Sequence, residues 1–289
     1  MIQLSNEQIR PSIRSIWKEV FEDDDDYMDL YFAEKYKDEN TLVAIEDSRV
    51  VASLQMLPYE ISFYGVRIPF YYLAGLSTLP EYRSRGLMGQ LILKSHELML
   101  QRDIPLSVLI PAEESLFGYY SRFGYAQTFR KGDIAFELSI KDILENSVGE
   151  DKAYTLFDKI YNQHDFCVQK SFSDFKTIIQ LEKDEGFQPK QNLSGLARVI
   201  DPELLLRLYA QQHTGNAFLV ELQDTQFGRK LISIENGSIK VITNDLLPDF
   251  SVNEELLVRL LFGFETHLLP EPFSRLFPRQ NPIMNYMLE

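Results

Sequence analysis

Leu76-Ser77-Thr78-Leu79-Pro80-Glu81-Tyr82-Arg83-Ser84-Arg85-Gly86-Leu87-Met88-Gly89 begins as an apolar strand, turns through an arginine-rich corner and enters a helix. Beyond Gly86, the apolar residues Leu87, Met88, Leu91, Ile92, Leu98 and Met99 recur at helical spacing. The backbone N–H groups of residues 84 to 89 therefore lie at a helix N-terminus, where amides lack intrahelical acceptors and the dipole favours negative charge. Gly86 and Gly89 let a diphosphate approach the backbone, and Arg83 and Arg85 add positive charge. The stretch reads as a pyrophosphate cradle. It is not one of two other phosphate loops. No Gly-x-x-x-x-Gly-Lys-Ser/Thr run occurs, and Gly86-x-x-Gly89 lacks the third glycine and the downstream acid of a dinucleotide fingerprint. Taken alone, the same residues also describe an ordinary helix start with solvated arginines.

Working outward, apolar or alternating runs predict strands over Thr41 to Glu46, Val50 to Leu57, Glu60 to Tyr64 and Ile68 to Leu79, with Asp47-Ser48 and Tyr64-Gly65 as hairpin turns. The cradle helix runs to about Arg102 and a strand follows at 106 to 111. A short helix through Tyr119-Tyr120 then closes on Gly124, and a last strand runs through Ile134 to Leu138. Residues 5 to 37 carry two helical patterns, with Ile9, Ile13, Ile16, Trp17 and Val20 spaced for one buried face. This order of elements is α+β with a mixed, mainly antiparallel sheet and flanking helices.

The cradle resembles the Arg/Gln-x-x-Gly-x-Gly/Ala segment that binds the coenzyme A pyrophosphate in the GNAT superfamily of N-acetyltransferases, with Arg83 first and Gly86 fourth. Met88 departs from the pattern at the sixth position; Arg-x-Arg-Gly-Leu-Met is similar to the variant of the Eis-like (enhanced intracellular survival) branch. A second segment, Ser115-Leu116-Phe117-Gly118-Tyr119-Tyr120-Ser121-Arg122-Phe123-Gly124-Tyr125, resembles the tyrosine motif that follows the next strand in GNAT enzymes. Order and distance agree, which neither motif achieves alone.

After Ile140 the pattern turns helical, Gly186 to Gly195 reads as a linker, and from Leu196 helix and strand signals return. The resemblance implies a GNAT domain over 1–140, a helical connector over 141–195 as a reduced middle region, and a sterol-carrier-protein-like α+β domain over 196–289.

Composition narrows the function classes. The chain has 289 residues with 45% hydrophobic content, enough for two cores. Its formal charge of −14 argues against binding a phosphate backbone. No apolar run reaches membrane-span length and no basic leader precedes an apolar stretch, so a cytoplasmic, membrane-free protein is expected. The single Cys167 excludes an internal disulfide, and the four histidines have no metal-ligand spacing, so no metal is expected. Residues 1 to 60 hold 14 carboxylates against 6 basic residues, including Asp23-Asp24-Asp25-Asp26. That run reads either as a solvated, repulsive loop or as a field that concentrates cationic amines at an acceptor cleft. Self-association is open.

By resemblance, acetyl-CoA is the co-substrate. Leu76, Ser77 and Thr78 would pair with its pantetheine arm, and Arg83, Ser84, Arg85, Gly86, Leu87, Met88 and Gly89 would hold the diphosphate, with Ser115 also contributing. Tyr120 matches the family tyrosine that protonates the departing thiolate, a task that suits a phenol still protonated at neutral pH. A base for the acceptor amine is open between Glu113 or Glu114 and, as in Eis-like enzymes, the terminal carboxylate, here that of Glu289. The alternative is a non-catalytic protein that binds an acyl-CoA or an apolar ligand, since fold does not fix function.

Overall fold

Asp47-Ser48 and Tyr64-Gly65 each take two successive positive φ values, 48° and 63° and then 50° and 75°. That is the backbone of a two-residue turn whose twist matches the strands it joins. In the computed structural model, which describes residues 1–133, 138–187 and 191–287, these turns fold three strands into an antiparallel meander. The chain opens with β1 (Ile2–Leu4), α1 (Arg10–Phe21) and α2 (Asp25–Glu34), and the meander is β2 (Thr41–Glu46), β3 (Arg49–Phe63) and β4 (Val66–Thr78). The two strands expected between Val50 and Tyr64 are one. Leu57, Tyr59 and Ile61 keep facing the core while Pro58 and Glu60 face solvent, so the alternation runs through the proline unbroken.

From β4 the chain crosses over through α3 (Leu87–Gln101) to β5 (Leu106–Leu109), which is parallel to β4; α4 (Phe117–Ser121), β6 (Ala126–Phe129) and a short β7 (Gly132–Asp133) follow. Three helices come next: α5 (Ile140–Glu145), α6 (Glu150–Tyr161) and α7 (Phe172–Glu185). Their inward residues, among them Ile143, Phe157 and Phe175, form a separate small core. The chain then passes through β8 (Gln191–Asn192), paired with β7, into β9 (Gly195–Val199).

β9 corrects the expected domain boundary. It lies in the first sheet, antiparallel to both β5 and β6, in the spatial order β1-β2-β3-β4-β5-β9-β6. Residues expected to begin a new domain at Leu196 therefore complete the one before it. The expected strand from Ile134 falls outside the described residues except for Leu138.

A second sheet, ordered β12-β11-β10-β13, is built from β10 (Phe218–Asp224), β11 (Gly228–Glu235), β12 (Ser238–Ile242) and β13 (Phe250–Asn253), preceded by α8 (Pro202–Gln212) and followed by α9 (Glu254–Leu261) and α10 (Phe273–Leu276). α9 packs across β6 and β9. Phe63, Val108 and Val199 of the first sheet share one apolar core with Tyr209, Val220, Ile232 and Phe262. Arg198 of β9, 1% exposed, reaches into the second sheet and holds Asp224 through two bonds of 2.9 and 3.0 Å. The chain's end returns to the first sheet: Ile283 exchanges backbone bonds with Phe166 and Val168, and Leu193 donates to Met284 O.

Candidate active site

Two parallel strands that part company make the cleft. β4 and β5 are paired only at Tyr71–Ser107 and Tyr72–Val108; past these pairs β4 runs on to Thr78 and the strands diverge. Beyond the divergence β4 carries a bulge, with Gly75 and Leu76 opposite the single Leu54 between the pairs Gln55–Ala74 and Ser53–Ser77. Gly75 takes φ +58°, and a Cβ there would lie 2.4 Å from the Trp17 ring, so glycine is required both by the bulge and by the indole behind it. The Ser77 hydroxyl is buried and lies 2.9 Å from the hydroxyl of Ser53, its partner across the β3–β4 ladder.

The N-terminus of α3 follows this strand end. Ser84 and Gly86 both have left-handed backbones, φ 62° and 78°. Gly86 is the N-cap of a 15-residue helix and no side chain accepts from the first turn, so the leading amides of Leu87, Met88 and Gly89 are left for an anion. A Cβ on Gly86 would meet nothing within 4 Å, and the space above it is open. At Gly89 the corresponding space is filled, because a Cβ would sit 2.9 Å from Phe123 Cζ. Gly89 keeps its amide in the first turn, but its lack of a side chain serves the packing of α3 against the Phe123-Gly124 segment.

Arg83 donates from Nε to Thr78 O (3.2 Å), tying the loop back to the strand end, and Arg85 donates from Nη2 to Glu81 O (2.9 Å), bracing the loop itself. Arg85 also lies 4.8 Å over the Tyr82 ring and 3.4 Å from Glu46 Oε2. The guanidiniums stay exposed beside the helix start, where their charge adds to the dipole.

Tyr120 projects from α4 into the core beneath α3 and is 8% exposed. None of the hydrogen bonds among the described residues involves its hydroxyl. Burial pushes that phenol up to about 12, with the neighbouring Tyr119 adding to the effect. Its ring rests on Tyr125, whose hydroxyl is 2.6 Å from Ser107 Oγ and 3.0 Å from His96 Nε2. His96 Nδ1 is in turn 2.8 Å from Gln226 Oε1. This buried chain fixes Tyr125 and through it the tyrosine motif. Tyr119 is half-exposed against Phe123 and Arg122. Ser115 is exposed and donates to Glu113 Oε2 (3.0 Å), and Glu113 and Glu114 are exposed as well. Glu289 lies outside the described residues.

A diverging strand pair with a bulge on one arm, an uncapped helix start after it and an unbonded buried tyrosine is the geometry that the family comparison then meets. The family model for the acetyltransferase (GNAT) domain matches residues 2–128. This is a GNAT acetyltransferase domain. The chain is accordingly an enzyme of the N-acetyltransferase class. None of the curated proteins matches the sequence. Among solved structures the fold is similar to a conserved protein of Enterococcus faecalis V583 described as a probable N-acyltransferase, at 13% identity and a TM-score of 0.72 over 98% of both chains. It is also similar to a GCN5-related N-acetyltransferase from Kribbella flavida, at 16% identity and TM-score 0.63 over 98% of this chain and 96% of that one. Eis1 from Mycobacterium abscessus matches at 14% identity and TM-score 0.58 over 91% and 90%. At such identities the likeness is one of fold.

One feature of the GNAT domain was not legible as a site feature in the sequence. Gln55 is 1% exposed and packs against the Gly75 bulge; its Oε1 accepts from Tyr31 (3.0 Å) while its Nε2 is buried without a partner. Turning the amide round only exchanges which of its polar atoms is left over. A lone glutamine on the core-facing side of an otherwise apolar strand was the available signal. The aspartate run, in contrast, serves local structure: Asp23 accepts from the Trp17 indole (2.7 Å), Asp24 caps α2 (2.7 Å) and Asp25 pairs with Lys18 (3.2 Å). Among the described residues no group of three or more His, Cys, Asp or Glu could hold a metal ion, and no helix is long and apolar enough to cross a membrane.

Proposed function

We propose that the GNAT domain transfers an acetyl group from acetyl-CoA to the primary amine of a small molecule, cationic in solution. The observation that carries the reading is the open, uncapped start of α3 at Gly86 following the diverging end of β4. The diphosphate would rest on the amides of residues 84 to 89 beside Arg83 and Arg85. The pantetheine arm would run along Leu76, Ser77 and Thr78 towards the bulge, with Ser115 near the cofactor. Holding thioester and amine together in one cleft would supply much of the rate.

In this mechanism the amine nitrogen attacks the thioester carbonyl carbon, and collapse of the tetrahedral intermediate breaks the C–S bond. Tyr120 delivers its hydroxyl proton to the leaving sulfur. A phenol held near 12 is fully protonated at neutral pH and, among the described residues, has no competing hydrogen bond to break. The amine's proton leaves to the terminal carboxylate of Glu289. That role rests on the resemblance to Eis-like enzymes; the last described residues lie beside the helical connector, where Tyr286 packs on Tyr161 and Met287 touches Lys170. The sterol-carrier-like resemblance then belongs to the second sheet with α8 and α9.

Release of coenzyme A thiol from acetyl-CoA, measured with a panel of primary amines, tests the reading. Stimulated release with loss of the amine supports it. Tight acetyl-CoA binding with no amine-stimulated release would make the chain a binding protein instead.

A further inference from the structure

Opposite α3, a cleft of about 640 Å³ opens on the sheet face that carries α1 and α2. Gln55, Leu57 and Tyr59 alternate onto this face of β3, and Leu57 pairs with Tyr72, the last β4 residue bonded to β5. The cleft's lining reaches Leu57, two residues along β3 from the Gln55 that packs against the Gly75 bulge, and extends past Tyr59 away from it.

Lys170 stands at the Tyr59 end. It is only 2% exposed, its Nζ is 4.8 Å above the Tyr59 ring, and among the described residues the one hydrogen bond of that Nζ is to Met287 Sδ (3.1 Å). Among the described residues no carboxylate comes within ion-pair distance of it. The nearby Asp174 is already engaged by Lys35 (2.5 Å) and by the N-cap of α7. The backbone of Lys170 is fixed by three bonds: Tyr154 and Asn162 both donate to its carbonyl (3.0 Å each), and its amide donates to Asn162 Oδ1 (3.1 Å). Beside it Gln169 Oε1 is buried without a partner. Burying an ammonium without an ion-pair partner is costly, and among the described residues it is eased only by the Tyr59 ring and, at longer range, by the charge of Asp174. Burial pushes Lys170 down to about 8, so it still carries its charge at neutral pH.

Building on the proposed transfer reaction, we infer that the acceptor is a zwitterion: its amine lies at the bulge while a carboxylate or phosphate at its other end, on the order of 10 Å away along the strand, pairs with Lys170. The ligand brings the missing counter-ion.

The test uses the full chain and three acceptors of equal length: an α,ω-diamine, an ω-amino carboxylate and an ω-aminoalkyl phosphate, each followed by thiol release. The wild type is expected to favour one or both anionic acceptors at least tenfold in kcat/KM, the two arms separating carboxylate from phosphate. Lys170→Met is expected to raise KM for the favoured acceptor at least tenfold while leaving its kcat, and both constants for the diamine, within about twofold. Should that variant fold poorly, the wild-type preference and a Lys170→Arg variant that retains it carry the test. Equal use of diamine and anionic acceptors by the wild type would overturn the inference, as would an equal loss for all three in Lys170→Met. If no amine of any charge stimulates release, the transfer reaction itself fails, which is a different result.

Discussion

Gly86 and Gly89 sit three residues apart in one motif, yet replacing each with alanine should have opposite consequences. At Gly86 the methyl group would meet no protein atom within 4 Å, so the packing cost is nil and the penalty is that of a left-handed φ of +78°, about 1–2 kcal/mol. The same methyl would stand in the space where a diphosphate approaches the amides, and acetyl-CoA affinity is expected to fall tenfold or more. At Gly89 the backbone is helical, and alanine gains about 1 kcal/mol of propensity there. Its Cβ, however, would lie 2.9 and 3.2 Å from the Phe123 ring, an overpacking cost of about 1–3 kcal/mol, so the net loss is between zero and about 2 kcal/mol. The two variants thus resemble each other in urea unfolding and differ in calorimetric titration with acetyl-CoA, where Gly89→Ala should stay within about twofold of wild type. A Gly89→Ala variant that loses affinity while Gly86→Ala keeps it would refute the assignment of the open space to the diphosphate.

Tyr120→Phe should keep acetyl-CoA affinity and lose about 10²-fold in kcat, with Tyr119→Phe mild; reversed effects would shift the acid to Tyr119. Because burial raises Tyr120 to about 12, wild-type kcat should show no downward limb up to pH 10, and one centred near the ordinary phenol value would contradict that environment. His96 is held neutral by burial, with Arg198 contributing, its value pushed down to about 3 against ~6.5 in the unfolded chain. The unfolded state therefore binds the extra proton first, and stability is lost as pH falls below 6.5, by about 3 kcal/mol at pH 4. His96→Gln should flatten the pH dependence of urea unfolding by that order between pH 7 and 4, and unchanged slopes would count against a neutral His96. Extending the chain beyond Glu289, or deleting the last four residues, should lower turnover at least tenfold with acetyl-CoA binding intact; full activity in an extended chain would remove the terminal carboxylate from the mechanism.

Local pattern carried the parts of the fold whose partners are close in sequence. The two hairpins, α3 and the tyrosine helix follow from turn dipeptides, apolar spacing and a glycine cap. β9 does not, because Leu196-Ala197-Arg198-Val199 becomes a strand by slotting between β5 and β6, elements roughly 70 to 90 residues upstream, and Arg198 in its middle reads as polar until Asp224 is seen to meet it. The uncapped helix start at Gly86 was legible because glycine, apolar spacing and two arginines lie in a few consecutive residues. The proposed acceptor side was not, since it is assembled from β3, α2, the segment before α7 and the chain end. Lys170 follows Cys167-Val168-Gln169 and precedes a serine N-cap, a context in which a lysine would ordinarily be solvated.

The family match ends at residue 128, but the structural unit does not. β5 and β6 are not neighbours: each bonds to β9, and removing β9 would leave a row of unpaired backbone groups on both. β5 is one arm of the diverging pair, and β6 directly follows the Tyr120 motif, so the strand that holds the two together comes from beyond the helical connector. β9 is then pinned from the far side by Arg198–Asp224 and by α9 lying across it. The chain end closes the same circuit, since Ile283 bonds to Phe166 and Val168 while Ser62 of β3 donates its amide to Cys167 between them. The proposed donor side is encoded almost wholly by residues 75 to 125, while β9 completes the sheet and the proposed opposite wall combines α2 and β3 with the segment before α7. On the proposed reading the second sheet braces the site from behind β9, and the acceptor wall draws on α2 and β3 within residues 2–128 as well as on the segment before α7 beyond them.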